Sequence, residues 1–114
     1  MATHLDGTLA ALADPTRRRV VDILRVQPRR AGELASKFGM SAPAMSRHLR
    51  VLRVTGLVEE ERSDLHDARL RVYRLRRKPF VELQDWLSGV EQFWTDQLDA
   101  FKTHAERARK GRRN

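Results

Sequence analysis

The chain has 114 residues, 40% of them hydrophobic, which is enough for one modest core and not for two. It contains no cysteine, which excludes disulfides and thiolate metal sites, and no apolar run near the roughly 18 to 20 residues of a membrane span. The net charge of +8 is segregated: residues 80–106 carry one basic and six acidic side chains, whereas residues 41–54 carry three arginines and no acid. Such an asymmetry predicts one surface turned to an anionic partner, nucleic acid first, and another turned away. The opening MATHLDGTLAAL has neither a basic leader nor a continuous apolar segment, so a soluble cytoplasmic protein is expected. One domain over residues 1–108 and a basic, disordered tail over 109–114 complete the expected organisation.

Leu5, Leu9 and Leu12 recur at helical spacing and predict a first helix over residues 4–13 with a narrow apolar stripe. Asp14-Pro15 then starts a second helix, since Asp caps well and Pro suits the first helical position. This helix runs to about Val26 and buries Val20, Ile23 and Leu24. Arg17, Arg18 and Arg19 lie near its start, where the helix dipole favours acids. They either meet phosphate or acidic side chains, or are solvated. Gln27 to Arg30, with Pro28, reads as a turn.

Residues 31–58 carry the centre of the pattern. A short helix over Ala31–Phe38 turns Leu34, Ala35 and Phe38 inward, Gly39 supplies the left-handed residue that ends it, and Ser41 caps the next. That next helix, Ala42 to about Val54, places Met45, Leu49 and Leu52 in one buried stripe. Pro43, Ser46, Arg47 and Arg50 fall on the opposite side and Arg53 at its edge. Two short helices around a glycine turn, the second with an arginine-bearing free face, form the layout of a helix-turn-helix that reads DNA. His48 falls beside the buried stripe and is expected to pack or hydrogen-bond rather than to read bases.

Thr55-Gly56 stops the helix. Leu57–Arg62 and Arg69–Leu75 then read as two strands joined by a polar loop, a wing whose register is ambiguous and admits a bulge. Arg69 and Arg71, nearest its tip, either enter a minor groove or pair with Glu59 to Glu61 across the hairpin. A long last helix, about Phe80 to Ala108, carries Leu83, Leu87, Val90, Trp94, Leu98, Phe101 and Ala105 at intervals of three or four, with Trp86 and Phe93 widening the stripe. At about 40 Å it is too long for one protomer to cover. A two-fold dimer is therefore expected, with Leu5, Leu9, Leu12, Trp86, Val90, Phe93, Trp94, Leu98 and Phe101 at its interface.

The order ALADPTRRRVVDIL, GELASKFGMSAPAMSRHLRVLRVTGLV and a hairpin ending RVYRL resembles the ArsR-type (arsenical-resistance repressor) family of winged helix-turn-helix transcription regulators, over about residues 9–104. The Ser41-x-x-x-x-Ser46-Arg47-His48-Leu49 helix, followed by Leu52-Arg53-x-x-Gly56-Leu57-Val58, is the specific part. The resemblance implies a homodimer that binds imperfect inverted repeats at promoters and usually represses, with an inducer, here of unidentified chemistry, releasing the DNA. Metal-sensing members carry cysteines in the first helix of the motif, where this chain has Ala31 to Ala35. Asp96, Asp99 and His104 on the last helix lack the family's other ligand spacing, so no metal or cofactor is expected. The Phe93-Trp94 segment is similar to a metal-independent subgroup. Ala42 stands where the family often has Gln, which removes a bidentate adenine reader.

These readings predict a mainly α fold with a small β-hairpin wing (α+β), a winged helix-turn-helix dimerising through its terminal helices. The expected function is that of a sequence-specific repressor on double-stranded DNA, reading through helix 42–54 and wing 57–75. The DNA-binding residues would be Ser41, Ala42, Pro43, Ser46, Arg47, Arg50, Arg69 and Arg71, with none catalytic. Two other classes compete: a nonspecific architectural DNA binder driven by wing and tail, and a winged-helix protein-interaction module. An enzyme is not expected, because neither a Gly-rich phosphate loop nor a catalytic constellation is evident.

Overall fold

A computed structural model describes residues 4–62 and 71–111, with Arg62 by its backbone alone. The order is α1 His4–Leu12, α2 Pro15–Val26, β1 Arg29–Arg30, α3 Ala31–Phe38, α4 Ala42–Val54, β2 Val58–Arg62, β3 Arg71–Leu75 and α5 Arg77–Gly111. The chain divides into two compact units, Met1–Glu82 and Leu83–Asn114.

Local chemistry fixes the element ends in the first unit. The Asp14 carboxylate accepts a hydrogen bond from the Arg17 backbone N–H at 3.1 Å, which holds its pKa below the ordinary carboxylate range and starts α2 at Pro15. Gly39 closes α3 at φ +60°, and Ser41 Oγ accepts from the Ala44 N–H at 3.3 Å to open α4. Ser41→Ala should therefore lower stability by about 1 kcal/mol in urea denaturation. An unchanged midpoint would show that the Gly39 turn alone sets where α4 begins. At the other end of α4, Gly56 adopts φ +82° and the Leu57 N–H donates to the Leu52 carbonyl at 2.9 Å, turning the chain into β2.

The core lies where α2, α3, α4 and the start of β2 meet. Val20, Leu24, Leu34, Ala35, Met45, Leu49, Leu52, Leu57 and Val58 are buried, with Ile23, Phe38, Tyr73 and Leu75 packed against them. In α2, α3 and α4 the buried side is the one the apolar period specifies, whereas α1 buries Thr8 and Ala11 rather than its leucine stripe. Leu12, expected at a dimer interface, packs against this core, while Leu5 is half-buried and Leu9 exposed.

Arg17 meets an acidic side chain, its Nη1 lying 3.8 Å from Asp14 Oδ2, and Arg18 and Arg19 are exposed, but all three also make contacts that the sequence did not indicate. Arg17 Nε donates to the Ala11 carbonyl and Arg18 Nη1 to the Leu12 carbonyl, both at 2.7 Å. The last carbonyls of α1 have no intrahelical donor, and α1 has no basic residue in its own last turn, so α2 supplies the cap. Arg19 lies over the Phe38 ring, 4.6 Å from its centroid, a cation–π contact joining α2 to α3.

Three further differences from the sequence reading have local causes. Arg29–Arg30 is not only a turn but a two-residue strand, pairing with Tyr73 and Val72 in a three-stranded antiparallel sheet of order β1-β3-β2. Two charged residues after Pro28 carry no alternation that would announce it. The hairpin register is continuous from Val58↔Leu75 to Arg62↔Arg71, with no bulge in the paired stretch. Helix α5 begins at Arg77 because Pro79, in its first turn, lacks an N–H that would be unbonded there anyway. It continues to Gly111, so residues 109–111 of the expected disordered tail are helical: Arg and Lys are good helix formers and suit the dipole at a C-terminus. Residues 112–114 lie outside the described residues.

In the second unit, α5 exposes Leu87, Val90, Phe93, Trp94, Leu98 and Phe101 along one stripe, with Phe93 and Trp94 in edge-to-face contact at 5.3 Å. Leu98 is 67% exposed and Phe101 72%. No helix among the described residues is long and apolar enough to cross a membrane.

Candidate nucleic-acid interface

Helix α4 has two faces of opposite character. Met45, Leu49 and Leu52 are at most 1% exposed, while Ser46, Arg47 and Arg50 stand in solvent, and Ser41, Ala42 and Pro43 are exposed at its N-terminal end. Burial of the first face fixes the direction of the second. No acid lies in the helix, and among the described residues Arg47 and Arg50 make no hydrogen bond or ion pair. Their guanidinium donors are free to meet phosphate or the acceptor edge of guanine. His48 is half-buried, unlike the exposed row of Ser46, Arg47 and Arg50.

The N-terminal end of α4, the start of α3 and strand β3 enclose a cleft of about 480 Å³ lined by Arg30, Gly32, Ala42, Ser46, Arg71 and Tyr73. It gives the helix-turn-helix and the wing a shared concave face. Burial first, and the Glu60 carboxylate second, raise the Tyr73 phenol above its ordinary pKa, so at neutral pH it presents a neutral hydroxyl.

Among the described residues the wing charges meet one another. Arg74 pairs with Glu61, Arg76 Nε lies 4.0 Å from Glu59, and Arg71 Nε lies 2.7 Å from Glu60 Oε1 as a charge pair without hydrogen-bond alignment. At Arg71 the cross-hairpin pairing is the arrangement present. Arg69 lies outside the described residues. Arg53, at the edge of the α4 face, donates through Nη1 to Glu60 Oε2 at 2.6 Å. This helix-to-wing bridge was missed in the sequence, although period-two alternation from Val58 puts Glu60 on the inner face. Among the described residues no group of three or more His, Cys, Asp or Glu is placed to hold a metal ion.

Known proteins share this arrangement. Residues 14–60, from the cap of α2 through β2, match the family described as bacterial regulatory protein, arsR family. The HTH-type transcriptional regulator Rv2034 of Mycobacterium tuberculosis is 36% identical over 96 residues, 84% of this chain and 83% of its own. The chain belongs to the ArsR family. The transcriptional repressor SdpR of Bacillus subtilis is 33% identical to this ArsR-family chain over 58 residues, 51% of the chain and 64% of its own. A Mycobacterium bovis domain described as a homodimeric winged helix-turn-helix DNA-binding domain superposes with a TM-score of 0.61 at 25% identity, over 78% of this chain and 79% of its own. This ArsR-family chain is a transcriptional regulator with a winged helix-turn-helix DNA-binding domain, and not an enzyme.

Proposed function

We propose that the chain is a homodimeric, sequence-specific repressor acting in the cytoplasm on an inverted-repeat operator, with release by a small-molecule inducer. The observation that carries the reading is the exposed row of Ser46, Arg47 and Arg50, without a partner among the described residues and opposite a fully buried stripe on the same helix. Each protomer lays α4 in a major groove, with Arg47 and Arg50 on guanine edges or phosphates and Ser41 and Ser46 on phosphate or base edges. Ala42 and Pro43 approach the bases closely, and Ala42 suits a thymine methyl. The wing, with Arg69 and Arg71, follows the adjacent backbone. A second copy covers the apolar stripe of α5, including Trp86, and the exposed Leu9, placing two reading helices about one DNA turn apart. The descriptions of SdpR as a repressor and of the Mycobacterium bovis domain as a homodimer support these two points.

Selection of bound sequences from a random duplex library tests the reading. It should return a palindromic site, and Arg47→Ala should weaken binding to that site by about 1 to 3 kcal/mol while relaxing one base position in each half. A library that returns no preferred sequence would indicate an architectural binder instead.

A further inference from the structure

Glu60 stands where the alternation of β2 calls for an apolar residue. It shares a face with Val58, which is 1% exposed, and lies opposite Tyr73 in the ladder. Its side chain is only 12% exposed, and each carboxylate oxygen faces a different arginine: Oε2 is 2.6 Å from Arg53 Nη1 and Oε1 is 2.7 Å from Arg71 Nε. Arg53 belongs to the last turn of α4 and Arg71 to the outer end of the hairpin. One enclosed carboxylate thus ties the reading helix to the wing and offsets one of the two positive charges that border the DNA-facing side. Arg47 and Arg50, by contrast, have no such partner among the described residues.

We infer that Glu60 is a specificity-determining residue: it withholds Arg53 and Arg71 from phosphate on nonspecific DNA and yields them only when base contacts by α4 seat the wing on its operator. The inference rests on the DNA-binding reading above. Nonspecific affinity comes from cations that displace counterions from phosphates, and each such contact adds about 0.9 to the salt slope. The Glu60 carboxylate offsets one of the two positive charges, so the pair of arginines displaces about one counterion rather than two. Offsetting that charge lowers attraction to the large excess of wrong sequence, which is the quantity that limits a regulator in a genome. The guanidiniums remain reachable, since Arg53 is 47% exposed and Arg71 33%. A phosphate at the seated wing can therefore exchange with Glu60 without opening the core. An inward charge on an edge strand also discourages strand addition, but that role alone leaves the salt slope unmoved.

The test is binding of the full chain to a random-sequence duplex of about 30 base pairs, by fluorescence anisotropy between about 50 and 200 mM salt. Glu60→Gln should steepen the slope by about 0.9, the share of the one positive charge it uncovers. Its advantage over the unsubstituted chain should then be about threefold larger at the low-salt end than at the high-salt end. Asp85→Asn removes one exposed negative charge that makes no ion pair among the described residues, and so controls for net charge. A Glu60→Gln slope no steeper than that of Asp85→Asn overturns the inference. The triple variant Arg53→Gln/Glu60→Gln/Arg71→Gln removes the cluster's single net positive charge and should make the slope shallower by no more than about 1. A triple-variant slope shallower by about 2 would mean that both arginines already contact phosphate, which also overturns it. Should Glu60→Gln fail to fold by circular dichroism, the triple variant decides alone. If the unsubstituted chain binds no duplex, the DNA-binding reading fails and takes this inference with it; binding with unmoved slopes sinks this inference only.

Discussion

Replacing Leu52 by alanine is expected to destabilise the first unit by about 2 to 5 kcal/mol, the range for a fully buried leucine that leaves a cavity. Leu52 is 0% exposed and sits between the helices of the core, and its carbonyl receives the Leu57 N–H that starts the wing. The surroundings cannot collapse onto the space without moving α4 or that turn. Against a total stability of about 5 to 15 kcal/mol, this is a large fraction. At about 4 °C or more per kcal/mol for a unit of this size, the midpoint should fall by roughly 10 °C or more, measured at fixed protein concentration because self-association contributes to apparent stability. The folded fraction should still bind DNA with the original sequence preference, since Leu52 and the exposed row occupy opposite faces of α4. A midpoint shift below about 3 °C would mean that α4 is not anchored through this stripe, and the argument that burial aims Arg47 and Arg50 would go with it.

What was legible in the sequence was whatever a local period or cap encodes. Met45, Leu49 and Leu52 repeat at helical spacing, Ser41 and Asp14 are strong caps, and Gly39 can take a left-handed backbone; α2, α3 and α4 consequently have the bounds expected of them. What was not legible is decided by partners distant in sequence or by groups whose need is not written in their own neighbourhood. The orphan carbonyls of α1 recruit Arg17 and Arg18 from the following helix, an outcome that no charge count near Arg17 indicates. Strand β1 exists because β3 offers an unpaired edge, not because Arg29 and Arg30 favour strands. Glu60 was visible only as one of three consecutive acids, and its burial depends on the register with Tyr73, which the alternation of Leu70, Val72, Tyr73 and Leu75 leaves open. The reading face of α4 belongs to the first kind and the wing to the second. The α4 residues can therefore be named from a helical wheel, while the roles of Arg53 and Arg71 follow from pairing geometry.

Leu98→Glu is expected to convert the proposed dimer into a monomer and to weaken operator binding by about 100- to 10,000-fold. The stripe of α5 exposes Phe93, Trp94, Leu98 and Phe101 by more than half each, far more contiguous apolar surface than a lone soluble helix leaves in water. Two-fold packing brings each position of the stripe near its own copy, so a single substitution places two carboxylates in a desolvated seam. In an isolated protomer the same glutamate is largely solvated and costs little, because Leu98 is already 67% exposed there. The DNA term follows from valency. A dimer holds its second reading helix at an effective concentration set by the protein, whereas a monomer must bring it from solution; losing that linkage removes a factor of about 10² to 10⁴ without touching any base contact. Sedimentation equilibrium of the variant should give one protomer mass, and its footprint should shrink to a half-site while the base preference within that half-site persists. A variant that stays dimeric would place the interface elsewhere than on this stripe. One that becomes monomeric yet binds the full site undiminished would show that the two halves are read independently.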